Sequence, residues 1–167
     1  MRGAALAGLL ATVGMDLGAL GIFAPLFGTK GLGPRNLGRW IGHMRAGRFT
    51  HDDIAAATPI AHEAAIGVAA HYATGLTLGA GYGLLLRAAQ PQRSSVPLAT
   101  AYGTATTALA WFLLFPACGL GAMGLRRGDV RLPALALCNH AVFGLSLGTA
   151  SRLAIPRLAK RCRPLLA

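Results

Sequence analysis

Four long apolar runs constrain this chain more than any other feature, because a helix needs about 20 mostly apolar residues to cross the hydrocarbon core of a bilayer. They extend from about Ala4 to Phe27, from about Ile60 to Leu86, from Pro97 to Met123 and from Pro133 to Ile155. Hydrophobic residues make up 54% of the 167 and charged residues only 13%, with 23 glycines. A soluble domain carries about 25% charged residues and about 7% glycine. The balance excludes a disordered chain, a disulfide-stapled secreted domain and most soluble enzymes. The connections QPQRSS and RRGDVR are too short to hold separate domains. The expectation is therefore an all-α integral membrane four-helix bundle, a single four-span domain over residues 1–167. Arg2 ahead of an apolar run resembles the start of a signal peptide, but Asp16, the length of the run and the missing small-residue cleavage site favour a retained span.

The 16 Lys and Arg against 5 Asp and Glu give a net charge of +11. In a soluble protein that would suggest nucleic acid as partner. Here the basic residues lie between the apolar runs, as in a multispan protein that meets anionic headgroups, so the lipid bilayer is the expected partner and nucleic acid is not. The positive-inside count is even on the two sides. Cytoplasmic termini are preferred because Arg157, Lys160, Arg161 and Arg163 form a cluster suited to anionic lipid. Cys118, Cys138 and Cys162 show no CxxC spacing and indicate neither a disulfide framework nor a zinc site.

The connection from Gly28 to Pro59 is the one part with room for structure outside the bilayer. Leu37, Trp40, Ile41 and Met44 fall at helical spacing, with Arg35, Arg39, Arg45 and Arg48 around them, which predicts a short interfacial helix near residues 35–46. Thr50-His51-Asp52-Asp53 reads as a variant capping box. His43 and His51 read as solvated, with a surface metal as the alternative, His62 as wet, and Glu63 as a carboxylate at a helix N-terminus shortly after Pro59. Pro116 is expected to kink the third run and to free the carbonyl of Phe112.

Aligned at an offset of 69, HYATGLTLGA from His71 and HAVFGLSLGT from His140 share the pattern H-x-x-x-G-L-[TS]-L-G. A tandem pair of helical hairpins explains it, with both units in one orientation. A weaker match sets Leu10-Ala11-Thr12 against Leu98-Ala99-Thr100. His71, Gly75 and Gly79 share one helical stripe, and His140, Gly144 and Gly148 share its counterpart. Small residues at this spacing let helix backbones approach, so a packing seam is one reading. The sharper one places two imidazoles at one depth, suited to a transition metal or to haem iron with two axial ligands, with the glycines leaving room for the ring.

Asp16 lies roughly 16 Å from the end of its span, and the histidines about 10 to 16 Å inside the start of theirs, counted from the same face. An intramembrane carboxylate must be protonated or paired, and one bonded to an imidazole N–H would fix its tautomer. His71, His140 and Asp16 are thus the candidate cofactor-binding residues. The leading functional reading is a structural or interaction protein with a polar intramembrane layer, self-associating or holding a membrane partner protein. A haem or metal protein using His71 and His140, and a small proton or solute transporter, are the alternatives. No P-loop, dinucleotide fingerprint, nucleophile elbow or HExxH motif supports an enzyme.

The assembled motifs resemble a family of small bacterial multispan membrane proteins known only as a domain of unknown function. The resemblance is carried by Asp16, by Gly38-Arg39-Trp40 with Gly42-His43, by Gly47-Arg48-Phe49 with His51, and by Glu63, Gly67 and His71-Tyr72. Pro116-Ala117 with Gly119-Leu120-Gly121, and His140 with Phe143-Gly144, complete it. Phe115 stands where that family usually has glutamine, and Arg126-Arg127-Gly128-Asp129 where it has a Ser/Pro-rich turn. The resemblance implies a bacterial inner-membrane location and transfers no catalytic residue.

Overall fold

A computed structural model describes residues 2–29, 31–89 and 95–154. Among these residues the fold is all-helical, without a strand. Five helices carry it: α1 (Arg2–Phe27), α2 (Pro34–Met44), α3 (Glu63–Ala89), α4 (Val96–Ala117) and α5 (Arg131–Ala154), with a short 3-10 segment, Ala122–Arg127, between α4 and α5. Helices α1, α4 and α5 are long and apolar enough to cross a membrane. At about 1.5 Å per residue, the 27 residues of α3 also exceed the hydrocarbon thickness. Its glycines, hydroxyls and His71 dilute its hydropathy, which leaves it outside that group of three.

The boundaries depart from expectation where local chemistry intervenes. Helix α3 begins at Glu63, not at Ile60, because His62 adopts φ 59° and ends the preceding turn. Pro59 therefore lies outside the helix. Ser95 caps α4 by accepting from Leu98 N–H at 3.2 Å, and α4 stops at Ala117, not at Met123. Gly119 and Gly121 follow with φ of 82° and 77°, a left-handed region in which glycine is at ease. Helix α5 starts at Arg131, two residues before Pro133, and Ile155 lies outside the described residues, as does the basic C-terminal cluster.

Pro116 produces a change of register instead of the expected simple kink. Residues Ala110–Leu114 form a π-helical turn in which Phe115 N–H reaches Ala110 O. Helix α1 does the same ahead of Pro25, with Ala19–Phe23 in a π-turn and Ala24 N–H bonded to Ala19 O. A proline cannot donate to the carbonyl four residues back. In both helices that carbonyl, of Gly21 or of Phe112, lies inside the widened turn.

Helix α1 packs between α3 and α5, α4 packs on α5, and α2 packs on α3. Each close seam is made of glycine. A Cβ on Gly8 would strike the backbone of Gly75 and Gly79, one on Gly103 that of Gly144, and one on Gly38 that of Glu63 and Gly67. Ala7, Ala11, Tyr82, Ala99, Phe143 and Leu147 form the buried core, where Tyr102 donates to Leu78 O at 2.9 Å. The outer faces expose Leu6, Leu10, Leu17, Leu20 and Leu26 on α1, Phe112 and Leu113 on α4, and Leu145 and Leu153 on α5. Exposed apolar faces on helices of this length suggest contact with a lipid bilayer.

Candidate functional site

Asp16, His71 and Tyr72 come together between α1 and α3. His71 Nε2 lies 2.9 Å from Asp16 Oδ1, and Tyr72 O–H donates to Asp16 Oδ2 at 2.9 Å. Asp16 is thus paired, as the cost of burying a carboxylate in a bilayer requires. Both side chains of the pair keep about a third of their surface exposed, His71 at 32% and Asp16 at 34%. His140 does not join them. Its Nδ1 lies 2.8 Å from Thr106 Oγ1 on α4.

What unites the two histidines is a cavity of about 270 Å³. Its wall includes His71 and Thr74 of α3, His140 and Phe143 of α5, Met15 of α1 and Leu113 of α4, and Trp40 of α2 closes one side. A second cavity of about 150 Å³ adjoins the other side of His140, with Asn139 in its wall. The larger one sits near the lower end of ordinary small-ligand sites.

The glycines four residues after each histidine do not open this space for a macrocycle. Gly75 is filled by Thr12 and Gly8 O, and Gly144 by Ala99 O and Thr100. His71 also commits to Asp16 the nitrogen, Nε2, that a ligand iron commonly takes. These residues therefore form seams and do not frame a haem between two axial imidazoles. Among the described residues no group of three His, Cys, Asp or Glu could hold a metal ion.

The connection outside the spans is more ordered than its composition suggests. Arg39 does not face solvent. It is buried, with Nε and Nη2 on the two oxygens of Glu63 at 2.8 and 3.0 Å and Nη1 on the carbonyls of Ile54, Ala55 and Ala57. The Glu63 carboxylate in turn holds the Arg39 guanidinium above its ordinary pKa. Asp53 caps no helix; its Oδ1 accepts from Ala55 N–H in an Asx turn. His62 is exposed, as expected. His43 and His51 are not solvated singly, because their rings stack with centroids 5.0 Å apart and His43 Nδ1 lies 2.8 Å from His51 Nε2. The segment docks on the end of α4 through His51 N–H to Ala117 O at 2.9 Å and Ile54 N–H to Cys118 O at 3.2 Å. Arg126 adds a bond to Asp52 O at 2.9 Å.

Burial, then the Arg48 charge and His43, push the His51 imidazole below its ordinary value of 6.5. A histidine held neutral by the fold adds stability above its unfolded value and withdraws it as pH falls through the lower folded one. Thermal melts between pH 8 and pH 5 should therefore show destabilisation below about pH 6.5, with a weaker slope in His51→Gln. Equal slopes would remove His51 from this account.

Tyr72 and Thr106, the hydroxyl partners of Asp16 and His140, escaped the sequence reading. Tyr72 lies beside His71 in sequence, yet nothing local says that both turn to one carboxylate. Thr106 is 34 residues from His140, and no periodicity links them.

Three helices long and apolar enough to cross a membrane, with a cavity whose wall draws on all five helices, make an all-helical protein compatible with a membrane location. The chain belongs to the family described as protein of unknown function (DUF2938), whose model matches residues 5–154. Neither a curated protein nor a solved structure matches it.

Proposed function

We propose that this is a four-span protein of the bacterial inner membrane whose polar layer, His71, Asp16, Tyr72 and His140, binds a small lipid-soluble molecule. The observation that carries the reading is that both histidines line one cavity whose remaining wall is largely apolar. His71 ties the polar pair to this space, since it both bonds Asp16 and lines the cavity. Val68, Leu84 and Leu85 on the outside of α3 support its role as the fourth span. Helix α2, with Trp40 against the cavity, would then lie at the headgroup level.

The two glycine seams are built alike, one helical turn out of the register of the 69-residue offset. Gly79 meets Ala4 and Gly8, while Gly144 and Gly148 meet Ala99 and Gly103 meets Gly144. Matching Ala4 and Gly8 to Ala99 and Gly103 sets buried Thr12 against buried Thr107 and so replaces the weaker match of Thr12 with Thr100.

Protein purified in mild detergent should carry a small lipid-soluble compound, found by solvent extraction and mass spectrometry. His71→Ala and His140→Ala should each lower its yield several-fold, since each removes a polar contact in a low-dielectric site. Equal yields from all three proteins would reject the site and return the layer to packing alone. An absorption spectrum and metal analysis on the same samples separate the cofactor reading, which requires a pigment or stoichiometric metal.

A further inference from the structure

The hydrogen bonds around His140 say what such a ligand must carry, provided that the ligand-binding reading above holds. Thr106 has one hydroxyl proton, and Oγ1 gives it to Gly103 O at 2.6 Å. The same oxygen lies 2.8 Å from His140 Nδ1. The proton in that second bond must then come from the imidazole. A neutral His140 is therefore the Nδ1–H tautomer, and its Nε2 is a bare lone pair with no partner among the described residues.

His71 is fixed in the opposite sense. Its Nε2 is tied to Asp16 Oδ1, and a bilayer favours a pair without net charge. Either the carboxyl keeps its proton and gives it to Nε2, or the imidazole holds both of its own. In both arrangements Nδ1 bears hydrogen. Of the two imidazoles in the cavity wall, His71 thus offers a donor and His140 an acceptor, beside the Thr12 and Thr74 hydroxyl oxygens, which can only accept because their protons go to backbone carbonyls.

We infer that the cavity selects a lipid-soluble molecule with a hydroxyl head, which donates to His140 Nε2 and accepts from His71 Nδ1–H. An ether or a simple carbonyl can only accept, so it leaves the His140 lone pair unanswered in an apolar site. Phenols and aliphatic alcohols share the chemistry that this arrangement recognises.

The test uses the whole protein in lipid nanodiscs, dialysed against labelled para-pentylphenol, octanol and the methyl ether of each, with protein-free nanodiscs subtracted. At least one alcohol should bind about tenfold more tightly than its ether, the cost of one unmet hydrogen bond in such a site. Phenol alone, octanol alone or both identify the head as aromatic, aliphatic or any hydroxyl, and each result supports the inference. Nitrogen-15 NMR of labelled histidine should find His140 protonated at Nδ1. In Thr106→Val that tautomer loses its hydroxyl acceptor and keeps only the Gly103 carbonyl, so the preference for alcohol over ether should narrow. Alcohols and ethers binding alike, or a wild-type His140 protonated at Nε2, would overturn the inference while the cavity remains a binding site. No binding by any probe would overturn both. If Thr106→Val fails to fold, the wild-type spectrum still decides.

Discussion

A leucine in place of Gly79 leaves no folded, monodisperse protein. The Cβ of any side chain there would lie 2.5 Å from Ala4 O and 2.6 to 2.7 Å from Gly8 Cα and N, all of them backbone atoms of α1. Backbone cannot rotate out of the way as a side chain can, so α1 and α3 must part. Inside a bilayer, helices gain little from hiding apolar surface and depend on close packing for association. Separating this seam also pulls Asp16 from His71 and Tyr72 and leaves a carboxylate alone in lipid. Size-exclusion chromatography in detergent should show the monodisperse fraction down roughly tenfold or more. Gly21→Ala, which faces open space, should elute like the wild type. A normal peak for Gly79→Leu would refute the close approach of the two helices.

Arg39→Ala should lower the melting temperature on the order of 10 °C, the largest effect expected outside the spans. One guanidinium holds both oxygens of Glu63 and three carbonyls of the following loop. Its loss strands all of these at once and frees the segment that docks on α4. Arg39→Lys should recover less than half of the loss, because an ammonium is a point donor and cannot fork across a carboxylate while also serving a loop. A melting temperature within a degree or two of wild type would show that the loop holds its place without Arg39.

The spans were legible because a bilayer demands a run of apolar residues, and that demand is written locally. Asp16 and His71 could be suspected together because both interrupt such runs at similar depth. What joins them to Tyr72, and His140 to Thr106, depends on helix rotation, which no local pattern encodes. The stripe of small residues was legible as a seam, but the filling of the space at Gly75 and Gly144 was not, since the atoms that fill it belong to other helices. In the long connection the periodic positions gave α2 correctly. Arg39 was misjudged because a charged residue at a helix surface is ordinarily solvated, and only the folded loop supplies the carbonyls that bury it.

The two π-turns carry a further consequence for α1 and α4. Such a turn holds one residue more than the α-helix around it, so the two ends of each helix are out of phase by roughly 100°. The stretch before Ala19 is set by the glycine seam, while the stretch after Phe23 answers to the loop side. Each helix therefore meets its neighbours with different faces on the two sides of its π-turn, and in α4 the far side is the one on which His51 and Ile54 dock.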